Sequence, residues 1–175
     1  LDGFIEGPKG EIDWCIMDEE MDFNAFLSGI GCILYGRVSY DKWGNFQPSA
    51  NSTEAEKALW KGVHSKKKYV FSSRHREDSH AAFITSDIER EVARMKEENE
   101  KDIWLYGGSK LIQTFLQLEL VDIFRISVHP IVLGAGKPLF EDPKGRINLQ
   151  LLEANRFSSG VVQLIYQLFK EVQHQ

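Results

Sequence analysis

Three short apolar segments of this chain are each followed directly by residues suited to bind phosphate. The three stretches are Leu34–Ser39, Val70–Arg74 and Ile103–Lys110. Glycine lets a backbone approach a phosphate closely, serine hydroxyls donate hydrogen bonds to it, and an arginine guanidinium offers it two donors at once. In open α/β sheets, ligands collect outside the carboxyl ends of the strands. Three such ends in one chain therefore predict a nucleotide-binding site.

Each stretch also has a plainer interpretation when it is taken alone. A helix is expected to begin directly after Gly36, and helix N-termini favour anions, but this glycine could simply let a strand turn beside an exposed Arg37. Ser72–Arg74 could form an ordinary polar turn. Gly107 and Gly108 could bring backbone N–H groups to a pyrophosphate, yet they match only part of the Gly-x-Gly-x-x-Gly fingerprint. The prediction depends on the three stretches acting together.

The hydrophobic pattern predicts the elements that would position these stretches. Strands buried in the centre of a sheet are expected where consecutive apolar residues are stopped by glycine or serine. They are Cys32–Tyr35, Lys68–Phe71 and Ile103–Tyr106. Helices are expected where apolar residues recur at spacings of three and four, or where a capping box opens the segment. They are Phe23–Ile30, Thr53–Lys61 (with Gly62 as a stop), Ile88–Met95 and Lys110–Leu118.

From Val121 onward the pattern becomes typical of β-strands. The expected strands are Val121–Val128, Ile131–Leu133, Leu149–Glu153 and Val161–Phe169, with a turn at Ser158–Gly160. Short strands that alternate with helices indicate an α/β fold, and this one should end in antiparallel strands.

Composition excludes several classes of protein. The 175 residues carry 21 Lys and Arg against 26 Asp and Glu, a formal net charge of −5, so nucleic acid is not expected as a partner. No run of 18 apolar residues occurs, so no membrane span is expected. The two cysteines, Cys15 and Cys32, predict a reduced pair in the cytoplasm rather than a disulfide framework. Because the chain starts at Leu1, we expect a short piece to precede it.

The remaining basic residues predict no further site. The run Lys66–Lys68 precedes a strand and is interpreted as a solubilising segment. The five histidines form no i, i+4 pair and have no neighbouring cysteine, so no metal site is expected. They are His64, His75, His80, His129 and His174.

With these segments in view, the sequence resembles the dihydrofolate-reductase-like superfamily. Within it, the sequence resembles the C-terminal reductase domain of the bacterial riboflavin-biosynthesis deaminase-reductase and its stand-alone relatives. The resemblance covers nearly the whole chain. It rests on Leu1–Ile5, Gly36–Ser39, Phe71–Ser73, Tyr106–Gly108, Leu120–Asp122 and His129–Phe140.

The resemblance implies a three-layer α/β fold, with a central, mostly parallel mixed sheet, flanking helices and a C-terminal antiparallel hairpin. Residues 1–175 would form one domain whose first strand precedes the chain. It also implies NADPH as the cofactor. The adenosine and its 2′-phosphate would be held by Gly36, Arg37, Ser39, Ser72, Ser73 and Arg74. The pyrophosphate would be held by Gly107, Gly108, Ser109, Lys110 and Leu111.

The resemblance places the substrate near the start of the chain. The segment Asp2–Ile5 would border the nicotinamide, and in folate-reducing members an acid on the first helix assists protonation of the substrate. Glu20 and Asp2 are therefore the candidate acids, although carboxylates in the first turn of a helix are stabilised by its dipole whatever their function. Trp14 could stack on a flat heterocycle or serve as a lid of the core.

The chain departs from the riboflavin reductases in three places. The strand before Leu1 is absent from the sequence, Tyr40–Gly44 replaces an Asp-Asp-Pro-x-Leu-x-x-Arg stretch, and Tyr106 stands where a glutamate is usual. The resemblance therefore implies a class of substrate, a small pterin- or pyrimidine-like heterocycle, of which 5-amino-6-(5-phosphoribosylamino)uracil is one member.

The function expected from the sequence is NADPH-dependent reduction of such a heterocycle. The first alternative is a nucleotide-binding or sensor module without turnover, and the second is an oligomeric scaffold whose last hairpin pairs edge to edge. The apolar C-terminal strand and the habit of the resembled family predict a homodimer.

Overall fold

The structure is a computed structural model, and it describes residues 1–141, 143 and 145–169. The chain divides into two compact units. The first comprises Leu1–Met21 and the chain from Gln113 onward, and the second comprises Asp22–Ile112.

Strands and helices alternate through the second unit and give way to strands in the first. The strands are β1 (Phe4–Glu6), β2 (Ile30–Gly36), β3 (Lys67–Phe71), β4 (Ala82–Ile84), β5 (Asp102–Gly107), β6 (Ile123–Val128), β7 (Lys137–Pro138), β8 (Leu149–Arg156) and β9 (Val162–Leu168). The helices are α1 (Phe23–Gly29), α2 (Arg37–Ser39), which runs into a π-helical segment (Tyr40–Gly44), α3 (Glu54–His64), α4 (Ile88–Glu98) and α5 (Ser109–Gln117). A short 3₁₀ turn covers Glu19–Met21.

The second unit is built on a parallel sheet of four strands in the order β4-β3-β2-β5. Strand β2 lies inside the sheet and is almost wholly buried, as its unbroken apolar run predicts. Strand β3 is also internal, whereas β5 is at one end of this order rather than in the centre. An apolar run indicates that both faces of a strand are covered, but it carries no information about the strand's position across the sheet.

The helices of the second unit start where the sequence predicts, but α3 and α4 end three residues later than predicted, at His64 and Glu98. Thr53 and Glu56 form both hydrogen bonds of the capping box at the start of α3. The helix then continues past Gly62 to His64, so the prediction that it stops at Lys61 is wrong. A Cβ atom on Gly62 would lie 3.0 Å from Leu27 of α1. This glycine therefore allows two helices to pack closely and does not end α3.

The first unit contains the antiparallel strands that the sequence predicts. Its three-stranded sheet has the order β6-β9-β8, and β1 pairs with β7. The turn before β9 contains Gly160, whose φ of 87° favours glycine. Ile131–Leu133 is not a strand, which corrects the prediction. Pro130, just before it, has no N–H to give to a ladder, and Ile131 bonds back to the carbonyl of His129 at 2.8 Å.

Within residues 1–141, 143 and 145–169, no helix has the length and apolarity that a membrane crossing requires. Cys15 is exposed, Cys32 is buried, and both are free thiols.

Candidate functional site

The carboxyl ends of β2, β3 and β5 lie side by side at one edge of the parallel sheet. Gly36 at the end of β2 is in register with Phe71 of β3, and Tyr35 is in register with Gly107 of β5. The residues that follow each strand therefore emerge at the same edge, as parallel strands require. These are the three stretches singled out in the sequence.

An open cavity of about 600 Å³ lies at the ends of β2 and β3, and we call it the arginine cavity. Four of the residues predicted to bind the nucleotide line it, namely Arg37, Ser72, Ser73 and Arg74. Three further residues complete its lining: His75, Arg76 and Phe83. Ser39 is half-buried in α2 and is not one of the residues that line the cavity.

Arg76 is the most firmly held cation of this cavity, and sequence reasoning missed it. Its guanidinium donates to Asp41 at 2.8 Å and to Asp78 at 3.2 Å. Its central carbon lies 4.5 Å from the ring centroid of Phe83 and 5.5 Å from that of Tyr40. These two carboxylates and two aromatic rings together orient the guanidinium. The hydrogen bond to Asp41 is also the main cause that raises the pKa of Arg76.

Two aspartates with different surroundings balance these arginines. Asp41 accepts from Arg37 at 3.0 Å as well as from Arg76. Asp78 accepts from the Tyr40 hydroxyl at 3.0 Å and from the His80 N–H at 2.9 Å. Burial alone would raise the pKa of Asp78, but these hydrogen bonds and Arg76 together lower it. Asp78 is therefore a fixed carboxylate.

The helix that follows Gly36 is shorter than the sequence suggests. Helix α2 has three residues and passes at once into the π-helical segment Tyr40–Gly44. A dipole needs several aligned peptide units, so three residues provide little of the attraction expected at a helix N-terminus. The positive charge at the end of β2 comes mainly from Arg37.

The paired glycines lie where the backbones of two strand ends approach each other. A Cβ atom on Gly36 would be 3.5 Å from the carbonyl oxygen of Gly107. Gly107 has a φ of 111°, and the peptide bond that joins it to Gly108 is cis. The Gly108 carbonyl accepts from the N–H of Leu111 at 2.9 Å, which opens α5. Ser109 is fully buried, whereas Lys110 is exposed.

The candidate acids of the first unit are held by different loops. Asp2 accepts from the N–H of Gly134 at 2.8 Å, and this hydrogen bond is the main cause that lowers the pKa of Asp2. Glu20 accepts from Ser158 twice, at 2.8 Å from its hydroxyl and at 3.2 Å from its N–H. Asp2 is consequently ionised at neutral pH, which disfavours it as a proton donor.

Trp14 is half-buried and packs edge-on against the ring of His129, with centroids 5.3 Å apart. Its indole N–H donates to the carbonyl of Glu11 at 3.2 Å. The ring of His129 is tied to the backbone of Ile16 at 3.2 Å, and burial lowers its pKa. Across residues 1–141, 143 and 145–169, no group of three His, Cys, Asp or Glu side chains is placed to hold a metal ion.

Comparison with known proteins gives a family and a fold. The sequence model of the RibD C-terminal domain family matches residues 1–163. YyaP of Bacillus subtilis (strain 168), an uncharacterized protein, is 58% identical over 167 residues, which cover 95% of this chain and 89% of YyaP.

Two solved structures show the fold. The diaminohydroxyphosphoribosylaminopyrimidine deaminase/5-amino-6-(5-phosphoribosylamino)uracil reductase of Thermotoga maritima matches with a TM-score of 0.67 at 16% identity, over 97% of this chain and 54% of that one. Dihydrofolate reductase of Enterococcus faecalis, complexed with NADP(H) and RAB-propyl, matches with a TM-score of 0.61 at 14% identity, over 94% and 89%. Such identities show a shared fold alone, and the predicted dihydrofolate-reductase-like α/β fold is confirmed.

Proposed function

The chain belongs to the RibD C-terminal domain family, and from this membership and the arginine cavity we propose that it is an NADPH-dependent reductase of a small heterocycle. Its fold is one that reductases use, including one complexed with NADP(H). The finer assignment of cofactor and substrate is our proposal.

The observation that carries the proposal is the chemistry of the arginine cavity. NADPH differs from NADH by a 2′-phosphate, which has close to two negative charges and strong acceptor oxygens. Arg37 and Arg76 supply oriented guanidinium groups, and Ser72 and Ser73 supply hydroxyls. This donor set fits a phosphate monoester, and the volume of the cavity suits part of a nucleotide.

The adjoining strand end would hold the shared part of the cofactor. Gly107 and Gly108 allow backbone to approach a pyrophosphate closely, and Lys110 at the start of α5 adds a charge. Bound in this way, NADPH would supply the hydride. The chain's own contribution is to bind, orient and exclude water, and to deliver a proton.

For the proton, we assign the two candidate acids different roles. Asp2, with its lowered pKa and its hydrogen bond from Gly134, would orient a donor group of the substrate. Glu20, an exposed carboxylate that Ser158 positions, would relay a proton from water to the substrate. Trp14 would offer an aromatic face to the heterocycle.

The substrate class that we favour is a pyrimidine, because the family includes the reductase half of riboflavin biosynthesis, and a pterin is next. The sequence departs from that reductase at Tyr40–Gly44, so a phosphoribosylated substrate is only one member of the class to be tested.

The test is NADPH oxidation by the protein against a panel of pyrimidines and pterins, with Glu20→Gln alongside. We expect turnover with at least one member, and a slower maximal rate with unchanged NADPH affinity in the variant. Tight NADPH binding without turnover on any member would favour the sensor module instead. No binding of NADPH would contradict both functions.

A further inference from the structure

Asp41 is bound to two arginines of the arginine cavity at once. Its Oδ2 accepts from Nη1 of Arg37 at 3.0 Å, and its Oδ1 accepts from Nη1 of Arg76 at 2.8 Å. These are the guanidinium groups to which the proposed function assigns the 2′-phosphate. An incoming phosphate and Asp41 therefore compete for the same two cations.

Asp78 also binds Arg76, but its surroundings differ. Its carboxylate accepts from the Tyr40 hydroxyl and the His80 N–H as well, and its side chain is 13% exposed. Moving it would leave those donors without their acceptor, which is costly where water is scarce. Asp41 is 34% exposed, and the arginines that it contacts are 54% and 40% exposed. Ion pairs as exposed as these are weak and exchange readily.

We infer that Asp41 is an exchangeable counter-ion that sets how tightly the arginine cavity holds a phosphate. The inference rests on the proposed function and deepens it by naming a specificity-determining residue. Without ligand, Asp41 screens the repulsion between Arg37 and Arg76 and keeps both guanidinium groups oriented. When a phosphate binds, Asp41 gives up these pairs, so part of the attraction is offset and the ligand is released faster.

This role makes a prediction that depends on the ligand. Removing the carboxylate should tighten the binding of a ligand that carries a 2′-phosphate, because nothing then competes for the arginines. It should not change the binding of the same ligand without that phosphate. A carboxylate that only orients the arginines would have the opposite effect, since its loss would disorganise the site.

The probes are adenosine 2′,5′-bisphosphate and adenosine 5′-phosphate, which differ only in the 2′-phosphate. Each is titrated by calorimetry into the wild type, Asp41→Asn, Asp41→Ala, Asp78→Asn and Glu77→Gln. The last variant changes the net charge equally at an exposed acid beside Arg76. We expect both Asp41 variants to bind the bisphosphate about three- to tenfold more tightly, with adenosine 5′-phosphate unchanged. Asp78→Asn should bind the bisphosphate more weakly. In Glu77→Gln, the affinity for the bisphosphate should change by less than about twofold.

Weaker binding of the bisphosphate by both Asp41 variants would overturn the inference, and so would an equal gain for both probes or an equal gain in Glu77→Gln. If the wild type still prefers the bisphosphate in those cases, the proposed function stands. If neither the wild type nor the Asp41 variants prefer the bisphosphate, the cavity is not a 2′-phosphate site. The counter-ion role and the cofactor assignment then fall together.

Discussion

The ammonium nitrogen of Lys68 lies 2.8 Å from Nδ1 of His64. The same ammonium donates to the carbonyl of Gly44 at 2.6 Å, and Nε2 of His64 lies 2.8 Å from the carbonyl of Phe46. A carbonyl only accepts, so Nε2 carries the proton of the imidazole and Nδ1 accepts from Lys68. This chain of hydrogen bonds ties the segment Gly44–Phe46 to β3 and α3.

We expect Lys68→Met to lower the free energy of unfolding by about 1–3 kcal/mol, because Gly44 and His64 would lose their donor in a place that water reaches poorly. Urea denaturation measures the change. Lys67→Met is the matched control, since its side chain is exposed in the same strand, and it should stay within about 0.5 kcal/mol of the wild type. Equal effects of the two substitutions would mean that the hydrogen bonds of Lys68 contribute nothing specific.

His64 should make the protein less stable in mild acid. Burial lowers its pKa, and Lys68 and His80 add to this, against the hydrogen bond to Phe46, which raises it. As the pH falls through 6.5, the ordinary pKa of histidine, His64 becomes protonated in the unfolded chain but stays neutral in the folded chain. The free energy of unfolding therefore decreases as the pH falls from this value to the lowered pKa of the folded state.

The measurement is urea denaturation at about pH 7.5 and about pH 5.5, on either side of the histidine range, for the wild type and His64→Gln. The amide of glutamine can donate and accept but does not titrate, so the variant should lose less stability on acidification. His129, whose pKa burial also lowers, contributes with the same sign and should leave a residual dependence in both proteins. An unchanged pH dependence in the variant would show that His64 titrates as it does in the unfolded chain.

Lys68 also shows where sequence reasoning reached its limit. Lys66–Lys68 was interpreted as a solubilising run, yet Lys68 is 5% exposed. Alternation along a strand turns one of two neighbouring lysines inward, and only the distant acceptors Gly44 and His64 make that burial acceptable. Periodicity predicted β2, β3 and most helices because those signals are local. The place of Arg76 in the arginine cavity was missed because it depends on contacts with Asp41, Asp78 and Phe83. No local pattern of residues indicates these contacts.

Gly107 is a position where a side chain should damage both folding and cofactor binding. Its φ of 111° is unfavourable for any L-residue, and a Cβ atom would lie 3.2 Å from Ile112. We expect Gly107→Ala to destabilise the protein by about 1–3 kcal/mol and to weaken NADPH and NADH alike. Gly29→Ala is the control, since a Cβ atom there meets nothing within 4 Å, and thermal unfolding should show it unchanged or slightly stabilised. Normal stability of Gly107→Ala would contradict the strain that we assign to it.

We expect the protein to form a homodimer, as the sequence predicts, and propose β8 as the contact. In the part of the chain that the structure describes, β8 pairs with β9 and ends the order of its sheet. Leu151 and Leu152 on it are 49% and 45% exposed. A long exposed edge with apolar side chains is a template for pairing with another chain.

Light scattering at micromolar concentration should give the mass of a dimer for the wild type and a lower mass for Leu151→Lys. Met17→Lys, at a side chain that is 70% exposed in the same unit, is the matched control and should leave the mass unchanged. A monomeric wild type would contradict the prediction of a homodimer.

The preference for NADPH over NADH should depend on Arg37 and Arg76. Each guanidinium that contacts the 2′-phosphate contributes to the binding of NADPH and not to the binding of NADH. Charge-assisted hydrogen bonds are worth about 1.5–3 kcal/mol, and the partial exposure of both arginines places them at the low end, or about tenfold in affinity. Arg37→Gln and Arg76→Gln should thus each weaken the binding of NADPH about tenfold and leave the binding of NADH nearly unchanged.

Arg74→Gln tests whether the third cation of the arginine cavity shares this role. Arg90→Gln, an exposed arginine on α4, controls for the loss of one positive charge at a distance. The check is a fluorescence titration of both cofactors against all five proteins. Equal losses for NADPH and NADH in the Arg37 and Arg76 variants, or no loss in either, would show that the 2′-phosphate binds elsewhere.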